Sequence, residues 1–125
     1  MNANIIFIIT LLLCMHGHAL AMHENSNRDK LLFFAAEHGR LVSLKAVIVL
    51  GVNVNAQENT KDGDTALMIA ASEGHKRCVA FLLKQPGIKV DQCNKTGSQA
   101  LDFAVELGYK QCAALIRQAL KKPSI

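Results

Sequence analysis

The stretch Asp62-Gly63-Asp64-Thr65-Ala66-Leu67-Met68-Ile69-Ala70-Ala71-Ser72-Glu73-Gly74-His75 decides how this chain reads. Thr65 stands where a short helix would start, and its hydroxyl can accept a hydrogen bond from a first-turn amide that has no partner within the helix. Ala70 and Ala71 are small, as a close crossing of two helices requires. Gly74 ends the helix, where a positive φ costs glycine little. Val79, Leu82 and Leu83 follow with the spacing of a second apolar helix.

Weaker copies lie on both sides. Upstream is Leu32-Phe33-Phe34-Ala35-Ala36-Glu37-His38-Gly39, continuing through Leu44, Val47 and Ile48 to Gly51-Val52-Asn53-Val54-Asn55. Downstream is Gly97-Ser98-Gln99-Ala100-Leu101-Asp102-Phe103-Ala104-Val105-Glu106-Leu107-Gly108-Tyr109, then a helix-like run through Leu120. Gly39 and Gly74 are 35 residues apart, and Gly74 and Gly108 are 34 apart. These residues resemble the ankyrin repeat, Gly-x-Thr-Pro-Leu-His-x-Ala-Ala-x-x-Gly-His, whose period is about 33. The excess falls in the loops Glu58–Lys61 and Gln85-Pro86-Gly87, where insertions are tolerated. The middle copy departs from the family at Ala66, in place of proline, and at Met68, in place of histidine. The upstream copy lacks the leading Gly-x-Thr, since Arg28 and Lys30 sit there.

The resemblance implies an all-α repeat fold, an α-solenoid of three helix-turn-helix repeats joined by short hairpin-like loops. The repeats span about residues 28–60, 61–94 and 95–122, within one domain over 28–122. No repeat buries its apolar face alone, so three is close to the minimum for stability. Phe34, Ile69 and Phe103 are equivalent and pack against the preceding repeat. Phe34 has no preceding repeat; cover by residues 22–28 is expected, with exposure or use by a partner as the alternatives. Gln111, Arg117, Gln118, Lys121 and Lys122 supply the polar surface that a terminal helix needs.

The N-terminus has another character. Ile5–Leu13 is apolar apart from Thr10, and Ala19-Leu20-Ala21 is a small-x-small site. This pattern reads as a secretory signal peptide over residues 1–21, cleaved after Ala21 and followed by a tail at 22–27. The run is shorter than the roughly 20 apolar residues that span a bilayer. Met1–Asn4 carry no Lys or Arg, so an uncleaved anchor competes with the signal. A lipid on Cys14 is a further alternative, disfavoured by the large Leu13 before it. The chain of 125 residues carries 14 basic and 10 acidic residues, all beyond residue 21. A net charge of +4 does not by itself argue for nucleic acid.

Catalytic and metal chemistry is not legible. His23, His38 and His75 make no ligand spacing with each other or with a cysteine pair. No serine sits in a nucleophile elbow, and no glycine loop cradles phosphate. We expect no catalytic, cofactor-binding or metal residues and no small-molecule substrate. Cys78 and Cys112 occupy equivalent outer-helix positions, roughly 8–10 Å apart if the helices stack. A disulfide needs Cα atoms within about 7 Å. Both therefore read as buried hydrophobes, and Cys93 as a loop cysteine. Asn94-Lys95-Thr96 fits a glycosylation acceptor.

The resemblance implies binding of a protein partner through loop tips and first helices, which form a concave face. The matching residues are Glu37 and His38 in the first repeat, with Asp29 by position only. In the middle repeat they are Lys61, Asp62, Asp64, Ser72 and Glu73. In the third they are Lys95, Thr96, Ser98, Glu106 and Leu107. Acidic residues predominate on this face, while the outer helices carry most of the Lys and Arg. The partner expected for such a groove is basic, with an ordinary solvated face as the alternative. The expected function is an exported, non-enzymatic interaction protein, periplasmic or secreted. A membrane-tethered adaptor or an immunity or inhibitor protein for a toxin or exported enzyme are the other readings. A membrane enters only if the N-terminus is retained or lipidated.

Overall fold

The computed structural model describes residues 17–122, with side chains from residue 27 onward. Among the described residues six helices follow one another: α1 (Gly17–Glu37), α2 (Leu41–Val49), α3 (Ala66–Ser72), α4 (Lys76–Leu83), α5 (Ala100–Glu106) and α6 (Lys110–Lys121). They pair as α1/α2, α3/α4 and α5/α6. The first helices α1, α3 and α5 stack side by side, and the outer helices α2, α4 and α6 stack behind them. This is the all-α repeat solenoid that the three copies predict.

One glycine turn, repeated three times, sets each pair. Gly39, Gly74 and Gly108 have φ of 65°, 72° and 78°. Behind them the amides of Arg40, His75 and Tyr109 bond back to the carbonyls of Ala35, Ala70 and Ala104, each at 2.9 Å. This is the Schellman type of bond, which stops a helix and leaves the chain free to reverse. Ala35, Ala70 and Ala104 are all fully buried, so the paired helices approach without a large side chain between them.

The core lies between the two layers. Leu32, Leu44, Leu67, Val79, Leu82 and Ile116 are each at most 2 % exposed. Fully burying one such side chain is worth about 1.5–3 kcal/mol. Cys78 and Cys112 join this core as free thiols, and burial pushes both above the usual thiol range. Nearby Lys76 pulls Cys112 back in part. Cys93 is free and exposed.

Thr65 caps α3 as its position predicts. Its Oγ1 accepts from the Met68 amide at 3.4 Å, and the Thr65 amide in turn points at Met68 Sδ, 3.5 Å away. A thioether thus stands where a capping box usually has a carboxylate or amide.

The N-terminal end is built differently from a simple tail. Helix α1 runs without a break through Ala21–Met22 and through residues 22–27. The apolar run Ile5–Leu13 and Cys14 lie outside the described residues. Among the described residues no helix is long and apolar enough to cross a membrane. Phe34 is 45 % exposed. Its ring stacks on His38 at 4.2 Å between centroids, and the Arg40 guanidinium lies over it at 5.6 Å. His38 and Arg40, both of its own repeat, thus lie against the ring.

Candidate partner-binding face

Two hairpins project from the helix layers, one before α3 and one before α5. In the first, Gln57 and Thr65 form an antiparallel bridge and the Glu58 amide bonds the Asp64 carbonyl at 2.8 Å. In the second, the Asn94 amide bonds the Ser98 carbonyl at 2.9 Å. The hairpins join edge to edge through the Lys95 amide and the Asp62 carbonyl, at 2.9 Å.

Asn94 is the residue that fixes the second tip. It is 7 % exposed. Its Oδ1 accepts from the Thr96 amide, the Thr96 hydroxyl and the Ser98 amide at 3.0, 2.7 and 2.9 Å. Its Nδ2 donates to Asp64 Oδ1 at 2.7 Å. The glycosylation triplet is thereby corrected for the folded chain, because the nitrogen that would carry sugar is buried and bonded to a carboxylate. Asn-x-Thr-Gly is also a turn signal, in which the asparagine side chain bonds backbone two residues on. That reading would have found the role.

Asp64, Lys95, Thr96 and Ser98 therefore hold the hairpins. The Lys95 stem crosses Gly63, where an added Cβ would lie 3.0 Å from it, and Nζ donates to the Thr60 carbonyl at 3.0 Å. Ser72 bonds back to the Ile69 carbonyl at 2.8 Å. Lys61, Asp62, Glu73 and Glu106 are exposed, and Glu37 is exposed with only a 3.9 Å approach to His38. His38 also donates from Nδ1 to the Phe34 carbonyl at 3.0 Å.

The electrostatics of this face gather around Glu58, a residue that the motif comparison left out of the binding set. Partial burial first, then the charges of Asp64 and Glu37, raise its carboxyl above the ordinary range. Three carboxylates from two repeats thus share one field. Among the described residues no group of three or more His, Cys, Asp or Glu could hold a metal.

A second set of contacts welds one repeat to the next. His75 lies flat against Gly39, where a Cβ would meet its ring at 2.6 Å, and Nε2 donates to the Glu37 carbonyl at 2.8 Å. Tyr109 covers Gly74 in the same way, at 2.4 Å. The histidine after the glycine is structural, as the motif implies. On the outer side, an open groove of about 480 Å³ runs between α4 and α6, lined by Leu83, Ile88, Val90 and Leu115 with Lys84 and Lys122 at its rim.

A family model described as ankyrin repeats, in three copies, matches residues 2–88 and 32–123. No curated protein matches the chain. Repeats of this kind generally serve as protein-interaction modules and not as enzymes. Three in-phase helix pairs, a glycine turn in each and a ring laid on each preceding glycine lead to the same conclusion: the chain belongs to the ankyrin-repeat family.

Proposed function

We propose that this chain is an exported, non-enzymatic binder that holds a basic segment of a partner protein against its hairpins and first helices. The Glu58 carboxyl, raised first by partial burial and then by the charges of Asp64 and Glu37, carries this reading. Like charges gathered at one place cost folding energy, and a basic partner relieves that cost. Exposed Asp62, Glu73 and Glu106 extend the negative field across all three repeats, while Lys61 stands at the tip as a positive marker of register. Asp64, Lys95, Thr96 and Ser98 contribute by fixing the hairpins on which the exposed residues are carried.

Affinity capture of the mature protein from its own cell envelope or medium identifies the partner. Binding is then measured against salt and against a variant with the exposed Glu37, Asp62 and Glu73 changed to Lys. Weakening by both supports the groove, and salt-insensitive binding that the triple change leaves alone removes it. Export rests on the Ile5–Leu13 run and the Ala19-Leu20-Ala21 site. Mass spectrometry of the mature N-terminus tests it: a chain starting at Met22 supports release, and a lipid-modified Cys14 supports a tethered adaptor instead.

A further inference from the structure

Among the described residues, the contacts that join one repeat to the next leave half an interface uncovered on the first repeat and on the third. Ala36, Ala71 and Val105 are equivalent residues. The first two are fully buried, whereas Val105 is 49 % exposed. Gly39 and Gly74 lie under the rings of His75 and Tyr109, whereas nothing approaches within 4 Å of a Cβ placed at Gly108. At the other end, Leu31 is 53 % exposed, while its equivalents Ala66 and Ala100 are at most 1 % exposed. Phe34 is half-exposed, and Arg40 stands where His75 and Tyr109 stand in the later repeats.

We propose that a second copy of this chain stacks head to tail on the first, its N-terminal end against the C-terminal edge of α5. The internal joints say what fits. Phe34 of the incoming copy takes the place that Ile69 and Phe103 take internally, against Val105. Arg40 takes the place of the ring over Gly108, with its guanidinium directed at the Glu106 carbonyl as His75 Nε2 is directed at that of Glu37. Charge agrees on this inner half: Lys30 and Arg40 meet Asp102 and Glu106. The outer half does not join in, because α6 carries exposed Lys110 and Arg117 there. The contact is thus confined to the first helices and is weak and reversible. A head-to-tail contact does not close on itself, so association proceeds beyond the dimer as concentration rises.

Sedimentation velocity of the full chain over a concentration series tests the proposal. The expected result is a rising average mass. Phe34→Glu blocks one end by facing Glu106 with a like charge, and Val105→Lys blocks the other by facing Arg40. Each alone weakens association at least about tenfold. Both positions are half-exposed, and far-UV circular dichroism checks that each variant is folded. If Val105→Lys does not fold, Leu107→Lys at 56 % exposure blocks the same edge. Mixing the two blocked variants restores one unaltered joint and sets the introduced glutamate against the introduced lysine at the other, so the mixture associates where each variant alone does not. A chain that stays monomeric throughout overturns the proposal. So does association that both variants leave unchanged, or a mixture of blocked variants that does not pair. None of these outcomes bears on partner binding at the hairpins, which is read by its own salt and charge-reversal experiment.

Discussion

Helices α3 and α5 have the same length, the same alanine at the helix crossing and the same glycine turn after them, yet they live in different surroundings. In α3, Ala66, Leu67, Met68, Ala70 and Ala71 are all buried. In α5 only Ala100 and Ala104 are. Leu67 is 2 % exposed and its equivalent Leu101 is half-buried. The difference comes from neighbours, since α3 lies between α1 and α5 whereas α5 has α3 on one side only. In a stacked array, then, the same residue carries more stability in the middle than at the end, because burial is supplied by the repeat next door.

The sharpest way to break that contrast is to truncate the equivalent leucines. Leu67→Ala should cost about 2–5 kcal/mol, enough to unfold much of a three-repeat array. Leu101→Ala should cost clearly less, because part of the side chain is already in water. Urea unfolding followed by circular dichroism ranks the two, and equal losses would mean that position in the stack does not matter. Next are the turn glycines. Gly108→Ala should cost about 1–2 kcal/mol, the penalty for a side chain at positive φ. Gly74→Ala should cost more, because its methyl group also collides with the Tyr109 ring at 2.4 Å. The excess of Gly74 over Gly108 isolates the joint between repeats, and adding Tyr109→Ala to both should shrink it. If the excess stayed the same, the ring would not be its source.

A cap gives the third contrast. Thr65→Ala removes the acceptor for the Met68 amide and should lower stability by about 1 kcal/mol, with Thr65→Ser close to wild type. In α5 the bond is the reciprocal one, from the third helical residue back to the cap: Asp102 Oδ2 accepts from the Gln99 amide at 2.7 Å. Asp102 is exposed, so Asp102→Ala should cost less than Thr65→Ala in the same unfolding experiment.

Thr65, Ala70, the three glycines and the two buried cysteines were legible from sequence because each answers to a local rule: a cap, a close crossing, a positive φ, a small apolar position. Asn94 was not. Its residue type suggests a surface loop, and only the neighbouring hairpin with Asp64 makes it a buried brace. Lys95 likewise reads as a free tip charge until its stem is placed across Gly63. The surroundings of Phe34 follow from Arg40 and His38 turning back on their own repeat, which spacing alone does not specify. Residues whose role depends on the next repeat's backbone are the ones a one-dimensional reading leaves open.

The smallest expected effect concerns charge, and it belongs to the first joint. Glu58 is perturbed by burial and by Asp64 and Glu37, all at the joint between the first and middle repeats. A carboxyl whose folded pKa is raised binds its proton more tightly in the folded chain than in the unfolded one. Its stabilising contribution is full below the unfolded carboxylate pKa and is lost as pH rises through the folded value. Glu58→Gln removes that loss. The variant should therefore gain on wild type as pH rises from below the carboxylate range to neutrality, with the two converging in acid. Glu58 is largely open to solvent screening, so the gain is small and should shrink further in high salt. Thermal unfolding of Glu58→Gln and wild type against pH decides the matter: a Glu58→Gln advantage that grew in acid would reverse the sign and place the strain elsewhere.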